Sequence, residues 1–132
     1  MKASVTELPF NSFLGIQIAA EPSKLLRLPS GDQYLNHLGT VHASAQLALA
    51  EASSGEFLLR HIGSTEGVVP VVRRLEAKFR NPANGTITST AIAASVSFEK
   101  AGSRACIKGS CGHPCHGGAS RSVRSAHFIG DS

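Results

Sequence analysis

Apolar residues recur along this chain with two different periods, and the change of period marks the elements. From Val41 to about Ile62, Val41, Ala45, Ala48, Leu49 and Ala52 share one face at helical spacing. Leu47 and Ala50 lie off that stripe. The helix is therefore apolar most of the way round, the pattern of a helix buried on more than one side. Five alanines between Ala43 and Ala52 would let other backbones come close, and Gly63 is a natural stop. A period of two follows. Between Val71 and Arg80 the odd positions are Val71, Arg73, Leu75, Ala77 and Phe79, and the even ones include Arg74, Glu76, Lys78 and Arg80. One face is largely apolar and the other largely charged, as a half-buried strand requires. Asn84-Gly85 predicts a hairpin. The returning strand would run from Thr86 to Phe98, with Thr90, Ile92, Ala94, Val96 and Phe98 on one face.

Ahead of the long helix, Ser4-Val5-Thr6-Glu7 fits a capping box, and a short helix through Phe10 and Phe13 would end near Gly15. Pro9 falls inside that helix and weakens it. Ile16 to Ala20 reads as a strand, Glu21-Pro22-Ser23 as a turn, and Lys24 to Leu28 as a second strand. The order is helix, strand, strand, long buried helix, strand, strand. It predicts an α+β domain, with a curved antiparallel sheet around one central helix.

Composition narrows the function. The 132 residues fit one domain, and 42% hydrophobic with 17% charged residues is ordinary globular composition. No stretch approaches the roughly 20 apolar residues that cross a bilayer. Met1-Lys2-Ala3-Ser4 leads into mixed sequence without a continuous apolar core, so a cytoplasmic protein without a membrane partner is expected. The net charge of +4 lies wholly in the last quarter: residues 1–99 hold eight Lys/Arg and eight Asp/Glu. The body has no bias toward polyanions, which argues against a nucleic-acid partner.

The candidate chemistry gathers around the long helix. Glu51 is a carboxylate in an apolar helix, where unpartnered burial would be costly and would raise its pKa. Either it sits on a solvent-facing edge or pairs with a base such as Arg60, or it is held in a cleft as a base or nucleophile. His42 and Glu51, nine residues apart, point to opposite sides and lie about 13 Å apart along the axis, so they form no dyad within one chain. The helix start near Ala43 offers free backbone N–H groups and a positive dipole end, which would polarise a carbonyl placed there. If Glu51 is to act on that carbonyl it must come from a second subunit, and a symmetric dimer with antiparallel central helices would supply it twice.

Asn36-x-x-Gly39-Thr40-x-His42, followed nine residues later by Glu51, resembles the signature of the hotdog thioesterase superfamily. It is most similar to the phenylacetate-pathway and 4-hydroxybenzoyl-CoA-type branches. Phe79-Arg80-Asn81-Pro82-Ala83, then Gly85, resembles a strand-ending pattern of the same superfamily. The resemblance covers roughly residues 8–100. It implies a hotdog fold, an acyl-CoA or acyl-carrier thioester as substrate, no metal or cofactor, and a homodimer or homotetramer with its active sites between subunits. By that resemblance Glu51 activates water or attacks the thioester. The Ala43 N–H polarises the carbonyl, and Asn36 places the water or the carbonyl. His42 and Gly39 support the site, and Ser54 stands beside the position, here Gly55, where some branches carry a water-holding hydroxyl. The family usually has His-Gly-Gly where this chain has His42-Ala43-Ser44. A single histidine before a helix is more often structural than catalytic. Arg80, on a charged strand face with Arg73, Arg74 and Lys78, is either solvated or in contact with the phosphates of coenzyme A. A non-catalytic hotdog module that binds acyl groups or only assembles is the alternative.

The remaining segment, 101–132, departs from the 1–100 core. Ser103-Arg104-Ala105-Cys106-Ile107 starts like a strand, but Lys108 to Ser120 has no period of two and few large apolar residues. Three readings stand. Cys111, His113, Cys115 and His116, with or without Cys106, would bind zinc without matching a standard finger. The segment would instead be a divergent, poorly ordered sheet edge, with Val123 to Ile129 returning as a short strand. Or it would be translated out of the ancestral frame.

Overall fold

The computed structural model describes residues 4–62, 72–95, 104–112 and 126–129. Ser4 does cap the first turn, its side chain accepting from the Thr6 N–H. That turn is a 3-10 segment, Val5–Glu7, which stops at Leu8; helix α1, Pro9–Phe13, then begins afresh. The single N-terminal helix expected from the sequence is thus two pieces. Pro9 occupies the first helical position of the second piece, where its missing N–H costs nothing. Gly15 ends α1 with a φ of 72°, and a Cβ there would meet the Tyr34 hydroxyl.

Strands β1, Gln17–Ile18, and β2, Leu26–Leu28, are shorter than their sequence segments. The long helix α2 spans Ala43–Ile62, starting two residues later than its apolar stripe. Val41 instead makes an isolated bridge to Leu35, and its side chain enters the core. Strand β3 covers only Val72–Leu75, so residues 76–80, expected to continue it, lie outside regular structure. Strand β4 is Ile87–Ser95, β5 is Arg104–Gly112 and β6 is Ala126–Ile129.

These strands make one antiparallel six-stranded sheet in the order β1-β2-β4-β5-β6-β3. The order corrects two expectations. Asn84-Gly85 does not close a hairpin, because β5 and β6 separate β3 from β4. Gly85 has the positive φ of 67° that made the pair look like a hairpin turn, but the chain around it crosses from one side of the sheet to the other. A local turn signal reports a backbone conformation, not which strand lies beside which. Of the readings of the last segment, the one that made it a sheet edge is corrected in position: β5 and β6 are interior and the edges are β1 and β3, while β6 falls inside the returning strand expected from Val123 to Ile129. Backbone pairing tolerates the weak side-chain alternation of β5, since ladder hydrogen bonds need no particular side chain. Cys106 and Cys111 belong to β5; His113, Cys115 and His116 lie outside the described residues.

The core sits between α2 and the sheet. Leu26, Leu28 and Ile87 meet Val41, Ala45, Leu49 and Ala52, with Val5 and Ile16 closing one end. Leu58 joins Val72, Leu75 and Ala91 at the other. On β4 the odd positions Ile87 and Ser89 are buried, while Ile92 is 68% exposed. The Thr90 and Ile92 face therefore looks away from the helix.

Candidate active site

Two hydrogen bonds bring the start of α2 together with the loops around it. The Val41 N–H donates to the Ala83 carbonyl at 2.8 Å, and the His42 N–H donates to the Tyr34 carbonyl at 2.7 Å. The first draws the 79–83 loop toward the helix N-terminus, and the second fixes the residue before the helix. His42 is the N-cap: its Nδ1 accepts from the Ser44 N–H at 3.0 Å, and its carbonyl accepts from the Ala45 and Gln46 N–H groups. The ring proton therefore sits on Nε2. This is the structural role of a helix-capping side chain.

Capping leaves one donor over. Among the described residues, the Ala43 N–H has no hydrogen-bond partner. Ala43 lines a groove of about 320 Å³, together with Asn36, Leu38, Gln46, Phe79 and Arg80 among others. The groove thus gathers Ala43, Asn36 and Arg80 of the residues picked out from the sequence. Gln46 and Phe79 join them. Phe79 stood in a recognised motif, whereas Gln46 carried no signal beyond its place one turn into the helix.

Asn36 builds the loop that leads into the helix. Its Oδ1 accepts from the Leu38 N–H at 2.9 Å and the Thr40 N–H at 3.1 Å, and its Nδ2 donates to the Thr40 hydroxyl at 2.9 Å. Gly39 completes this turn with a φ of 72°, its N–H donating to the Asn36 carbonyl. Gln46 donates from Nε2 to the Val41 carbonyl at 3.0 Å. Arg80 is exposed on the groove wall.

Glu51 stands apart, eight residues after Ala43 and so about 12 Å along the helix. It is partly buried, and burial pushes its carboxyl above the ordinary 4.5. Among the described residues no cation or donor meets its carboxylate. The pairing with Arg60 is overturned: Arg60 Nε lies 2.9 Å from Glu56 Oε1. Glu56 was not singled out from the sequence. Its other oxygen accepts from the Val5 N–H and the Ser4 hydroxyl, each at 3.2 Å, so this buried carboxylate ties the N-terminal segment to α2. The geometry explains the choice. Arg60 lies one turn after Glu56 on the same helical stripe, whereas Glu51 and Arg60 are nine residues apart and point to opposite sides.

Ser54 is buried, and its hydroxyl donates to the Glu51 carbonyl at 2.7 Å. Gly55 lies against the N-terminal segment, where a Cβ would come within 3.3 Å of Val5 Cγ1. A neighbouring pair of buried serines locks helix to sheet. Ser53 Oγ lies 2.5 Å from Ser89 Oγ, which in turn accepts from the Leu26 N–H at 3.1 Å.

The model of a family described as a domain of unknown function, DUF4442, matches residues 13–107. No curated protein sequence matches the chain. Solved structures do. A mutant of the thioesterase enzyme SAV0944 from Staphylococcus aureus superposes with a TM-score of 0.75 at 16% identity, over 93% of this chain and 98% of that one. The thioesterase HI1161 from Haemophilus influenzae gives 0.74 at 18% identity, over 95% and 84%. The BH2602 protein from Bacillus halodurans, crystallised with CoA, gives 0.70 at 17% identity, over 91% and 74%. The fold is therefore a hotdog, with the sheet wrapped around α2 as the sequence resemblance implied.

Proposed function

The chain belongs to the DUF4442 family, and from that premise we propose that it hydrolyses acyl thioesters, with acyl-CoA as the substrate class, at a site completed by a second copy of the chain. The observation that carries this reading is the groove at the start of α2, where an unpartnered Ala43 N–H, Asn36 and Arg80 meet. A thioester carbonyl seated there receives a hydrogen bond from Ala43 and the field of a 20-residue helix. Glu51 of the partner copy removes a proton from water as the water oxygen bonds to the carbonyl carbon. The resulting oxyanion is held at Ala43. The C–S bond then breaks, and the leaving thiolate takes up the proton from Glu51. Asn36 holds the loop that shapes the groove, His42 fixes the helix end, and Arg80 faces the anionic end of the substrate. The CoA bound in BH2602 and the thioesterase names of SAV0944 and HI1161 support this choice of chemistry.

One observation favours a second reading, a hotdog module that binds acyl groups without turnover. The Ser54 hydroxyl is engaged by the Glu51 carbonyl, and Gly55 has none, so neither is placed to hold water beside the carboxylate. Hydrolysis of a panel of acyl-CoA esters by wild type and Glu51→Ala separates the two, with assays that avoid thiol reagents because the chain has three cysteines. Turnover in the wild type, reduced at least about 100-fold in the variant, is expected. Acyl-CoA binding with no turnover in either protein would establish the second reading instead.

A further inference from the structure

The groove that opens onto Ala43 has a composition suited to one part of a thioester. Leu38 and Phe79 line it from two different loops, and both are exposed, Leu38 by 71% and Phe79 by 47%. Leu38 lies in the turn that Asn36 closes, so its position is set by three hydrogen bonds around that turn. Phe79 lies in the loop drawn to the helix by the Val41 to Ala83 bond. They are two of eight large apolar side chains exposed among the described residues, and the two of these that line the groove shared with Ala43.

The polar side chains between them are largely occupied. Asn36 uses Oδ1 and Nδ2 within its own loop, and Gln46 donates to the Val41 carbonyl. A pantetheine arm brings amide groups, and burying an amide without a partner is costly. A hydrocarbon tail brings none. Resting on the thioesterase reading, we propose that Leu38 and Phe79 are the specificity-determining residues, gripping the apolar acyl group next to the thioester carbonyl. The groove they share is about 320 Å³.

The test compares octanoyl-CoA with acetyl-CoA for wild type, Leu38→Ala and Phe79→Ala, with Ile92→Ala as a control. Ile92 is as exposed as Leu38 but does not line the groove. The octanoyl-to-acetyl ratio of kcat/KM is expected to fall at least about ten-fold in each groove variant and to hold in the control. Calorimetric binding of octanoyl-CoA, acetyl-CoA and free CoA is measured beside it. If the wild type turns over nothing, the hydrolysis reading fails, while the binding arm still decides the role of the two residues. An octanoyl preference in affinity that both variants lose supports it. A preference unchanged in both variants, or no preference in the wild type, overturns it. Thermal melts of all four proteins exclude unfolding as the cause.

Discussion

Glu51 is a carboxylate in a place that favours its neutral form, and the consequences run in two directions. Its folded pKa is raised by desolvation above the ordinary 4.5. The protonated acid is therefore the form that the fold favours. The contribution to stability is full below the unfolded value and is lost as pH rises through the raised folded value. Replacement by Gln, which keeps the shape and removes the charge, is expected to raise the melting temperature at pH 7 relative to wild type. That gain should shrink toward zero as the pH is lowered below 4.5, measured by thermal melts across the range. For catalysis the sign reverses, because a general base must be ionised. The acid limb of kcat/KM is expected to fall at a pH above 4.5, and Glu51→Gln should abolish the limb along with the activity. Legibility at this scale was uneven. Glu51 stood out because an isolated carboxylate in an alanine-rich helix is conspicuous. Glu56, five residues on, was invisible although it is the more buried of the two. Its partners, Ser4, Val5 and Arg60, include groups more than 50 residues away that no helical period connects to it.

Among the elements, α2 carries the core, and polar ties to the N-terminal segment and to β4 add to its apolar packing. Glu56 accepts the Val5 N–H inside the protein, so Glu56→Ala would leave a buried donor without an acceptor and a cavity where the carboxylate was. A loss of about 2–4 kcal/mol is expected in urea unfolding, with the N-terminal segment the first part to lose amide protection. Ser53→Ala should cost less, about 1 kcal/mol, because Ser89 keeps its bonds to Leu26. The period of the apolar pattern announced α2 clearly, since 20 residues give several full turns of repeat. Strands β1 and β2 lie inside their sequence segments, whereas β3 stops at Leu75, well short of Arg80. The face of β4 was not legible: Ile92 lies on the even face and is 68% exposed, whereas Ile87 and Ser89 on the odd face are buried. A serine reads as polar until its partners, Ser53 and the Leu26 backbone, are known.

For the molecule as a whole, the separation of Ala43 and Glu51 along one rigid helix has a decisive test. Under the proposed reading each site takes Ala43 from one copy and Glu51 from the other. Ala43→Pro removes the N–H at a first helical position, where proline is tolerated. This variant and Glu51→Ala are each expected to be inactive alone. Co-folded in equal amounts, they should recover about one quarter of wild-type activity, since half of the dimers are mixed and each mixed dimer has one intact site. No recovery, with dimers present by light scattering, would place both residues of a site in one chain. The sequence by itself determined the class of the fold, the central helix and the residues around its start. These follow from local rules, because helical periodicity, capping and turn conformation act between residues close in the chain. Tertiary structure alone decided that β3 lies at the far edge rather than beside β4, and that the last segment supplies interior strands. It also decided that Leu38 and Phe79, 41 residues apart, share one groove with Ala43. Strand order and shared grooves depend on contacts between distant segments, whose free energy no local pattern encodes.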